Sequence, residues 1–327
     1  MTSCTLGPFL PMAVGRQARS RCLCIGLDIA WFGGSKGRAD TQHDCLVSAV
    51  SDPLAEDVSL HINPIKLKDR DQEAGQIFCE IKNVIEARGA GLNVVLAIDA
   101  PLQGVRAIPD DRQKVRRFCE DRLSAGRQAI DRAKGGAMGW HPTIQPGIPL
   151  APRVQALVTK LEKELKMQCW RSEHGDHPRL IIECFPAEAI WAAKRLGSYK
   201  AHTSGVAVKA YKRQQGVLLS ASKIEALVND VLLKSFEDMT GVPDHWPMMV
   251  KTLISQMLKR KGWGEDGNFR GGKFLDDVVD SAICLATALS YANGKAHVWH
   301  DSKNSDDGHI IGPGLLQDLL IGRTRLG

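Results

Sequence analysis

Long apolar runs are missing from this sequence: none has the length that a helix needs to span a bilayer, so a helical membrane protein is not expected. Internal repeats and low-complexity tracts are also missing, which argues against a solenoid or a disordered chain. The nine cysteines have no regular spacing and form no C-x₂-C pair, so we expect neither a disulfide framework nor a common zinc motif. Several cysteines lie inside apolar runs, and we therefore expect a reducing, cytoplasmic location.

The composition is that of an ordinary globular protein, with 43% hydrophobic and 24% charged residues among 327. This length suits one large domain with insertions. Residues 1–21 include arginines but no acid, and they lack the apolar core of a signal peptide; a weak transit sequence is the alternative. We expect a flexible tail over 1–20 and one domain over 21–327, with insertions at about 103–178 and 194–270.

Basic residues are concentrated in two stretches. No acidic residue lies between Ala189 and Ile224, where seven basic residues occur, and nine basic residues outnumber five acidic ones between Gln103 and Gly135. Clustered Lys and Arg supply sequence-independent affinity for phosphate, so we expect a nucleic acid, DNA or RNA, as the partner. The alternative for each stretch is a solvated helix face with uneven charge.

Apolar patterns divide the chain into strands and helices, which predicts an α/β domain. The unbroken apolar run Asn93–Ile98 predicts a central strand that is covered on both faces. The other predicted strands are Cys22–Ala30, Asp44–Ser51, Asp57–Ile62 and Arg179–Phe185. The predicted helical segments are Gln72–Arg88, Val154–Met167, Ala187 to about Lys261, and, after a Gly-rich loop over Gly262–Lys273, Phe274–Tyr291.

Five acidic residues lie at positions where they could meet. Asp28 closes the first predicted strand, Asp99 closes the central strand, and Glu183 lies near the end of a later strand. Asp277 and Asp280 are three residues apart on the last helix, which places both on one helix face. Because parallel strands and a helix packed on them can bring these positions to one end of the sheet, we expect an acidic cluster there.

Each of these residues also has a structural interpretation. Asp28 and Asp99 suit turns, because Asp bonds to its own backbone and Pro101 enforces a break. Glu183 fits a charged residue on an edge strand, where charges prevent further strand pairing. Asp276 or Asp277 fits the helix N-cap, which leaves Asp280 as an acid in the first turn, where the helix dipole favours it.

A carboxylate cluster needs shared protons or a cation. Two carboxylates about 4 Å apart repel each other by roughly 4 kcal/mol at an effective dielectric constant of about 20. Oxygen ligands suit Mg²⁺ or Mn²⁺ better than zinc. Two such ions stabilise both the attacking water and the leaving oxygen of a displacement at phosphorus, which predicts phosphodiester chemistry.

Seven short motifs follow one another in a specific order. They are Gly26-Leu27-Asp28, Ala97-Ile98-Asp99-Ala100-Pro101-Leu102, Arg117–Arg122, Glu183-Cys184-Phe185-Pro186-Ala187, Tyr211-Lys212-Arg213, Asp277–Ala282 and Gly308–Pro313. In this order they resemble the motifs of domain-of-unknown-function family 429, predicted nucleases of the RNase H-like superfamily. The resemblance extends from Cys22 to Pro313, and the last aspartate pair also resembles that of Holliday-junction resolvases. The sequence departs from the family at Ala30-Trp31-Phe32 and in its long insertions, which leaves the substrate open.

The resemblance implies an RNase H-like mixed central sheet flanked by helices, with large helical insertions. It implies a metal-dependent nuclease, a hydrolase that cleaves nucleic acid with Mg²⁺ or Mn²⁺ by a two-metal mechanism. On this hypothesis Asp28, Asp99 and Asp280 are the catalytic metal ligands, and Asp28 bridges the ions. Asp277 is an auxiliary ligand, and Glu183 is either a further ligand or a group that supports one.

The same hypothesis assigns four basic residues to phosphate binding, in which Arg offers a bidentate fork and Lys a point charge. These residues are Arg117, Arg122, Lys212 and Arg213. Surface salt bridges with Glu120 or Asp121 are the alternative interpretation. The sequence predicts no particular protein partner.

Other functions remain open. An actin-like or sugar-kinase-like ATP-dependent phosphotransferase shares the superfamily's core, and Gly33–Gly37 could cradle phosphate although it lacks the Walker pattern. A non-catalytic nucleic-acid-binding protein is another alternative, although an acidic cluster without metal repels phosphate. His174-x-x-His177 with Cys169 and Cys184 mimics zinc spacing, but this alternative is weaker because C-x₂-C pairs are absent and the segment is loop-like.

Overall fold

Eleven strands and three α-helices are defined in the computed structural model, which describes residues 12–15, 21–29, 44–51, 60–65, 73–102, 119, 123, 150–186, 218–220, 268–300 and 308–313. In chain order the strands are β1 (Met12–Val14), β2 (Cys22–Asp28), β3 (Asp44–Ser51), β4 (Leu60–Ile65), β5 (Asn93–Asp99), β6 (Gln168–Cys169), β7 (Arg179–Glu183), β8 (Leu218–Ser220), β9 (Asn268–Arg270), β10 (Ala296–His300) and β11 (His309–Pro313). The α-helices are α1 (Glu73–Arg88), α2 (Leu150–Leu165) and α3 (Gly271–Ala292), and a short 3₁₀ helix covers Ser172–His174.

A six-stranded mixed sheet forms the centre of the fold, in the order β4-β3-β2-β5-β7-β6. The strands β2, β5, β7 and β6 run parallel, whereas β3 is antiparallel to both of its neighbours. Every residue of β2 is buried, and so is the Val94–Ile98 part of β5. The most apolar runs of the sequence therefore lie at the centre of the sheet, as strands covered on both faces require.

Helices cover both faces of this sheet. On one face, α1 and α2 pack against each other and share an apolar cluster with Leu23, Ile25 and Leu27 of β2. On the other face, α3 packs against β2, β3 and β5. Because successive side chains of a strand alternate, Gly26 and Asp28 face α3. The predicted mixed α/β architecture, a sheet flanked by helices, is confirmed.

A smaller antiparallel sheet has the order β1-β10-β11. It meets the central sheet where Cys184, directly after β7, forms a parallel bridge with Ile311 of β11. The strand β1 lies inside the segment for which the sequence predicts a flexible tail, and β10 is not predicted either. Met12 and Ala13 are exposed, so β1 has no alternating pattern, and its pairing with β10 defines it instead.

Most predicted elements form close to their expected positions, with three differences. β4 covers Leu60–Ile65 and so extends beyond Ile62, where the predicted strand ends. Within the stretch predicted to be helical, Leu218–Ser220 form β8, which pairs with β9 in the predicted Gly-rich loop. α3 begins at Gly271 in that same loop. Local patterns give no sign of a pairing between segments so far apart in sequence.

The helix α2 lies within the first predicted insertion but belongs to the core of the domain. Its residues Val154, Leu157 and Leu161 are buried in the same apolar cluster as β2 and β5. Part of the range 103–178 is therefore a structural layer of the fold. None of the helices in the described ranges is both long enough and apolar enough to cross a membrane.

Candidate metal centre

Two of the predicted acidic residues lie side by side at the ends of neighbouring strands. In the parallel pairing of β2 with β5, Asp28 is the register partner of Asp99. Paired residues on adjacent strands project from the same face of a sheet. Asp28 is almost completely buried, at 3% exposure, whereas Asp99 is partly exposed. Both carboxylates therefore project towards α3 at one end of the sheet.

The helix α3 can approach β2 closely because residue 26 is a glycine. A Cβ atom placed on Gly26 would lie 2.3 Å from the carbonyl oxygen of Ser281 and 2.3 Å from the backbone nitrogen of Leu285. Both distances are too short for any real side chain. The absence of a side chain at Gly26 thus lets the backbone of α3 rest on the strand, two residues before Asp28.

This close packing brings a third carboxylate to the strand ends. Asp280 directly precedes Ser281 in α3. One carboxylate oxygen from each of Asp28, Asp99 and Asp280 lies within 4.8 Å of the other two. Three negative charges at this separation repel one another strongly unless protons or a cation compensate them.

The donor set fits a hard divalent cation. All the candidate ligand atoms are carboxylate oxygens, which Mg²⁺ and Mn²⁺ prefer. The Oδ2 atom of Asp28 is buried and accepts no hydrogen bond within the described ranges, although the residue has other polar contacts. A buried carboxylate oxygen in this position is suited to metal ligation.

Two buried thiols lie beside the carboxylates on the α3 face. The pKa of Cys284 is raised well above its usual value, first by burial, then by a hydrogen bond with Cys184 and by the negative charges of Asp99 and Asp28. The Cys184 Sγ atom lies 3.2 Å from Oγ1 of Thr287 on α3. Because Cys284 stays protonated, it adds no further negative charge next to the cluster.

Glu183 lies outside this group of three. Its register partner on β5 is Ile98, so its side chain projects from the face opposite to that of Asp99. Its Oε2 atom accepts a hydrogen bond of 2.9 Å from the backbone N–H of Leu102. Of the two roles that the sequence leaves open for Glu183, this placement favours support over direct ligation.

The positions of the other predicted site residues lie outside what the structure describes, either for the side chain alone or for the whole residue. Asp277 is one helical turn before Asp280 in α3, but its side chain is not among those described. The predicted phosphate-binding residues and the glycine-rich candidate loop lie outside the described ranges. They are Arg117, Arg122, Lys212, Arg213 and Gly33–Gly37.

The described part of the zinc alternative does not form a metal site. Burial, followed by the charges of Glu162 and Glu183, raises the pKa of Cys169 to about 12. The Nδ1 atom of His177 lies 2.9 Å from the carbonyl oxygen of Arg179. Neither residue belongs to a metal-ligand group within the described ranges.

The sequence analysis includes Gly26 in a motif with Asp28 but does not predict its contact with α3, and it does not identify Cys284 as part of this site. Gly26 lies two residues before Asp28 in a predicted strand, so it shares a face with that carboxylate. This spacing is a signal that could have marked the contact with the helix. The position of Cys284, one turn after Asp280 on the final helix, is a comparable signal.

The comparisons with known proteins give no further information. No sequence profile of a protein family, no curated protein and no solved structure matches this chain. The resemblance to family 429 therefore stays a prediction.

Proposed function

We propose that this protein is a Mg²⁺- or Mn²⁺-dependent hydrolase that cleaves phosphodiester bonds of nucleic acid. The observation that carries the proposal is the convergence of Asp28, Asp99 and Asp280, whose carboxylate oxygens lie within 4.8 Å of one another. These residues come from three separate elements of the fold. A cluster of this kind is electrostatically costly without a cation, which favours a role in metal binding.

The chain topology supports an RNase H-like fold for this proposal. Three neighbouring strands, β2, β3 and β4, are followed by α1, by β5 beside β2, by α2 and by β7 beside β5. Up to β5 this order agrees with the opening of an RNase H-like core, whereas α2 lies in the range 103–178 that the sequence analysis treats as an insertion. The carboxylates lie at the carboxyl ends of β2 and β5 and on the last helix, the positions that the sequence resemblance assigns to the metal ligands.

Each residue of the cluster has a distinct part in the proposed chemistry. Asp28, the most buried of the three, would hold metal at the base of the site, and the partly exposed Asp99 and Asp280 would complete the ligand set. Bound divalent ions lower the pKa of water and neutralise the charge that develops at phosphorus. Without a cation, the three carboxylates would repel a phosphate group.

Nucleic acid is the proposed substrate because of the charge pattern of the sequence. The chain has a net charge of +6, and the stretch Ala189–Ile224 contains seven basic residues and no acid. Such a stretch suits a long polyanion better than a small phosphate ester. The contacts of Arg117, Arg122, Lys212 and Arg213 with phosphate are part of this proposal.

A cleavage assay with matched variants tests the proposal. Purified protein is incubated with labelled single- and double-stranded DNA and RNA in Mn²⁺, beside Asp28→Asn, Asp99→Asn and a control, Asp176→Asn. Asp176 is exposed, so its substitution also removes one carboxylate charge but from outside the cluster. We expect cleavage by the wild type and the control only.

Cleavage that survives substitution of both Asp28 and Asp99 would contradict the proposal. Magnesium-dependent thermal stabilisation by ATP, without any cleavage, would indicate a phosphotransferase or ATPase instead. Salt-sensitive binding of nucleic acid without cleavage in any metal would indicate a binding protein.

A further inference from the structure

The segment that leaves β5 directly after Asp99 is held through one residue, Leu102. Its backbone N–H donates to Oε2 of Glu183 at 2.9 Å, and its carbonyl oxygen accepts a hydrogen bond from Nε2 of Gln155 on α2. The Leu102 side chain is buried in the apolar cluster between the sheet and α1 and α2. Three separate contacts therefore fix a position three residues after Asp99.

Glu183 is itself well placed to act as an anchor. It is 3% exposed and lies at the end of β7, beside Ile98 of β5. The next residue, Cys184, donates its backbone N–H to the carbonyl oxygen of Ile98 at 2.9 Å. The end of β7 is thus hydrogen-bonded to Ile98, the residue before Asp99. The Glu183 side chain is hydrogen-bonded to Leu102, three residues after Asp99.

The backbone of Glu183 also has a contact on its other side. Its N–H lies 3.4 Å from Nε2 of His309 at the start of β11, and the His309 ring packs against Trp170 with 4.9 Å between the ring centroids. His309 is buried, at 2% exposure. The anchor is therefore supported by the small sheet as well as by the central sheet.

We infer that Glu183 is a positioning residue for Asp99: from the opposite face of the sheet, its carboxylate holds the Ala100–Leu102 segment and so fixes the strand end that carries Asp99. The inference rests on the proposed role of Asp99 as a metal ligand. A charge-assisted hydrogen bond to a buried backbone N–H is stronger than a neutral one, which explains why this site has a carboxylate and not an amide. Residues that orient metal ligands in this way commonly change metal affinity by about 10- to 100-fold when they are replaced.

Mn²⁺ affinity, measured by calorimetric titration of the full chain, tests the inference. In Glu183→Gln the amide oxygen still accepts a hydrogen bond, so we expect Mn²⁺ affinity within about fivefold of the wild type. In Glu183→Leu the acceptor is lost, and we expect affinity to fall by about 10- to 100-fold. If Glu183 only orients Asp99, Glu183→Gln keeps most of the Mn²⁺ affinity. If Glu183 were itself a ligand, the loss of its charge would lower the Mn²⁺ affinity as much as Asp99→Asn does.

Leu161→Ala is the matched control for a general loss of stability. Leu161 is buried in the apolar cluster that also contains Leu102, but the hydrogen bond between Leu102 and Glu183 does not involve it, so its truncation destabilises the fold without removing that hydrogen bond. We expect Leu161→Ala to lower the melting temperature and to leave Mn²⁺ affinity unchanged. If Glu183→Leu and Leu161→Ala both fold and bind Mn²⁺ equally tightly, the inference is overturned. It is also overturned if Glu183→Gln binds Mn²⁺ as weakly as Asp99→Asn does.

Two further variants keep the result unambiguous. If Glu183→Leu does not fold, Gln155→Leu removes the other hydrogen bond to Leu102 from an exposed position, and an affinity loss of about threefold is expected. Unchanged affinity in Gln155→Leu would then overturn the inference. Asp28→Asn tests the proposed function separately: if it binds Mn²⁺ as tightly as the wild type, the metal site itself is wrong, whatever Glu183 does.

Discussion

Replacing Gly26 by alanine should separate Asp280 from the other two carboxylates. The added Cβ would lie 2.3 Å from backbone atoms of Ser281 and Leu285, whereas ordinary van der Waals contact begins at 3.4 Å. The atoms in contact belong to the helix backbone, which moves only if α3 moves as a whole. The helix must therefore shift away from β2 by about 1 Å, the difference between these two distances.

A shift of this size is large for a metal site and moderate for the fold. Overpacking of a core costs about 1–3 kcal/mol, which for a chain of this size lowers the melting temperature by about 1.5–4.5 °C. Metal–ligand distances are tolerated to within about 0.2 Å, and a misplacement of about 1 Å can reduce catalysis by about 100-fold. We therefore expect Gly26→Ala to fold, but to bind Mn²⁺ weakly and to cleave nucleic acid poorly.

The assays are a Mn²⁺ titration and the cleavage assay, with thermal unfolding as the measure of stability. Gly75→Ala in α1 is the matched control, because a Cβ there would meet nothing within 4 Å. It should stabilise the helix by up to about 1 kcal/mol and leave Mn²⁺ affinity unchanged. A folded Gly26→Ala protein with wild-type Mn²⁺ affinity and cleavage would refute the argument that the helix contact at Gly26 sets the geometry of the cluster.

Three further predictions follow from the same contacts. In thermal unfolding, Mn²⁺ at about 100 times its Kd should stabilise the wild type by about 2.7 kcal/mol, and Asp280→Asn should lose most of that gain. An equal gain in Asp280→Asn would contradict the role of Asp280 as a ligand. Burial, and then Cys184, Asp99 and Asp28, raise the pKa of Cys284. In the folded protein, peptide mass spectrometry should therefore find alkylation at the exposed Cys79 and little at Cys284. Equal alkylation of both cysteines would refute the burial of Cys284. Burial raises the pKa of Cys169 from 9.0 to about 12, so the contribution of this thiol to stability is complete below pH 9 and is lost as the pH rises towards 12. In denaturant titrations, Cys169→Ala should therefore lose less unfolding free energy between these pH values than the wild type does. An equal loss in both proteins would argue against this effect.

The sequence predicts five of the six strands of the central sheet, because their signals are local, and it misses the two-residue strand β6. The apolar run Asn93–Ile98 forms β5, and the predicted strand Asp44–Ser51 forms β3 with the same bounds. Asp28 and Asp99 close β2 and β5 as expected. An apolar run followed by an acid and a turn is sufficient to identify such a strand end.

The geometry of the cluster depends on register, which the sequence does not specify. That Asp28 pairs with Asp99, and Glu183 with Ile98, decides which carboxylates share a face of the sheet. A shift of one residue in either pairing would exchange the faces of the residues involved. For this reason the sequence could place Glu183 near the site but could not choose between ligation and support.

Long-range pairings are the other part of the fold that local patterns miss. β1 at Met12–Val14 pairs with β10 at Ala296–His300, at the opposite end of the chain. The strand β1 is too short for a periodic signal, and two of its three residues are exposed. Its position is determined by a partner strand that is distant in sequence.

Crystals soaked in Mn²⁺ and measured at an anomalous wavelength test the metal centre most directly. We predict an anomalous difference peak within ligand distance of Asp28, Asp99 and Asp280, with no peak at that position in Asp28→Asn crystals soaked in the same way. A wild-type crystal without a peak beside Asp28, or an undiminished peak in the Asp28→Asn crystal, would contradict metal binding by this cluster.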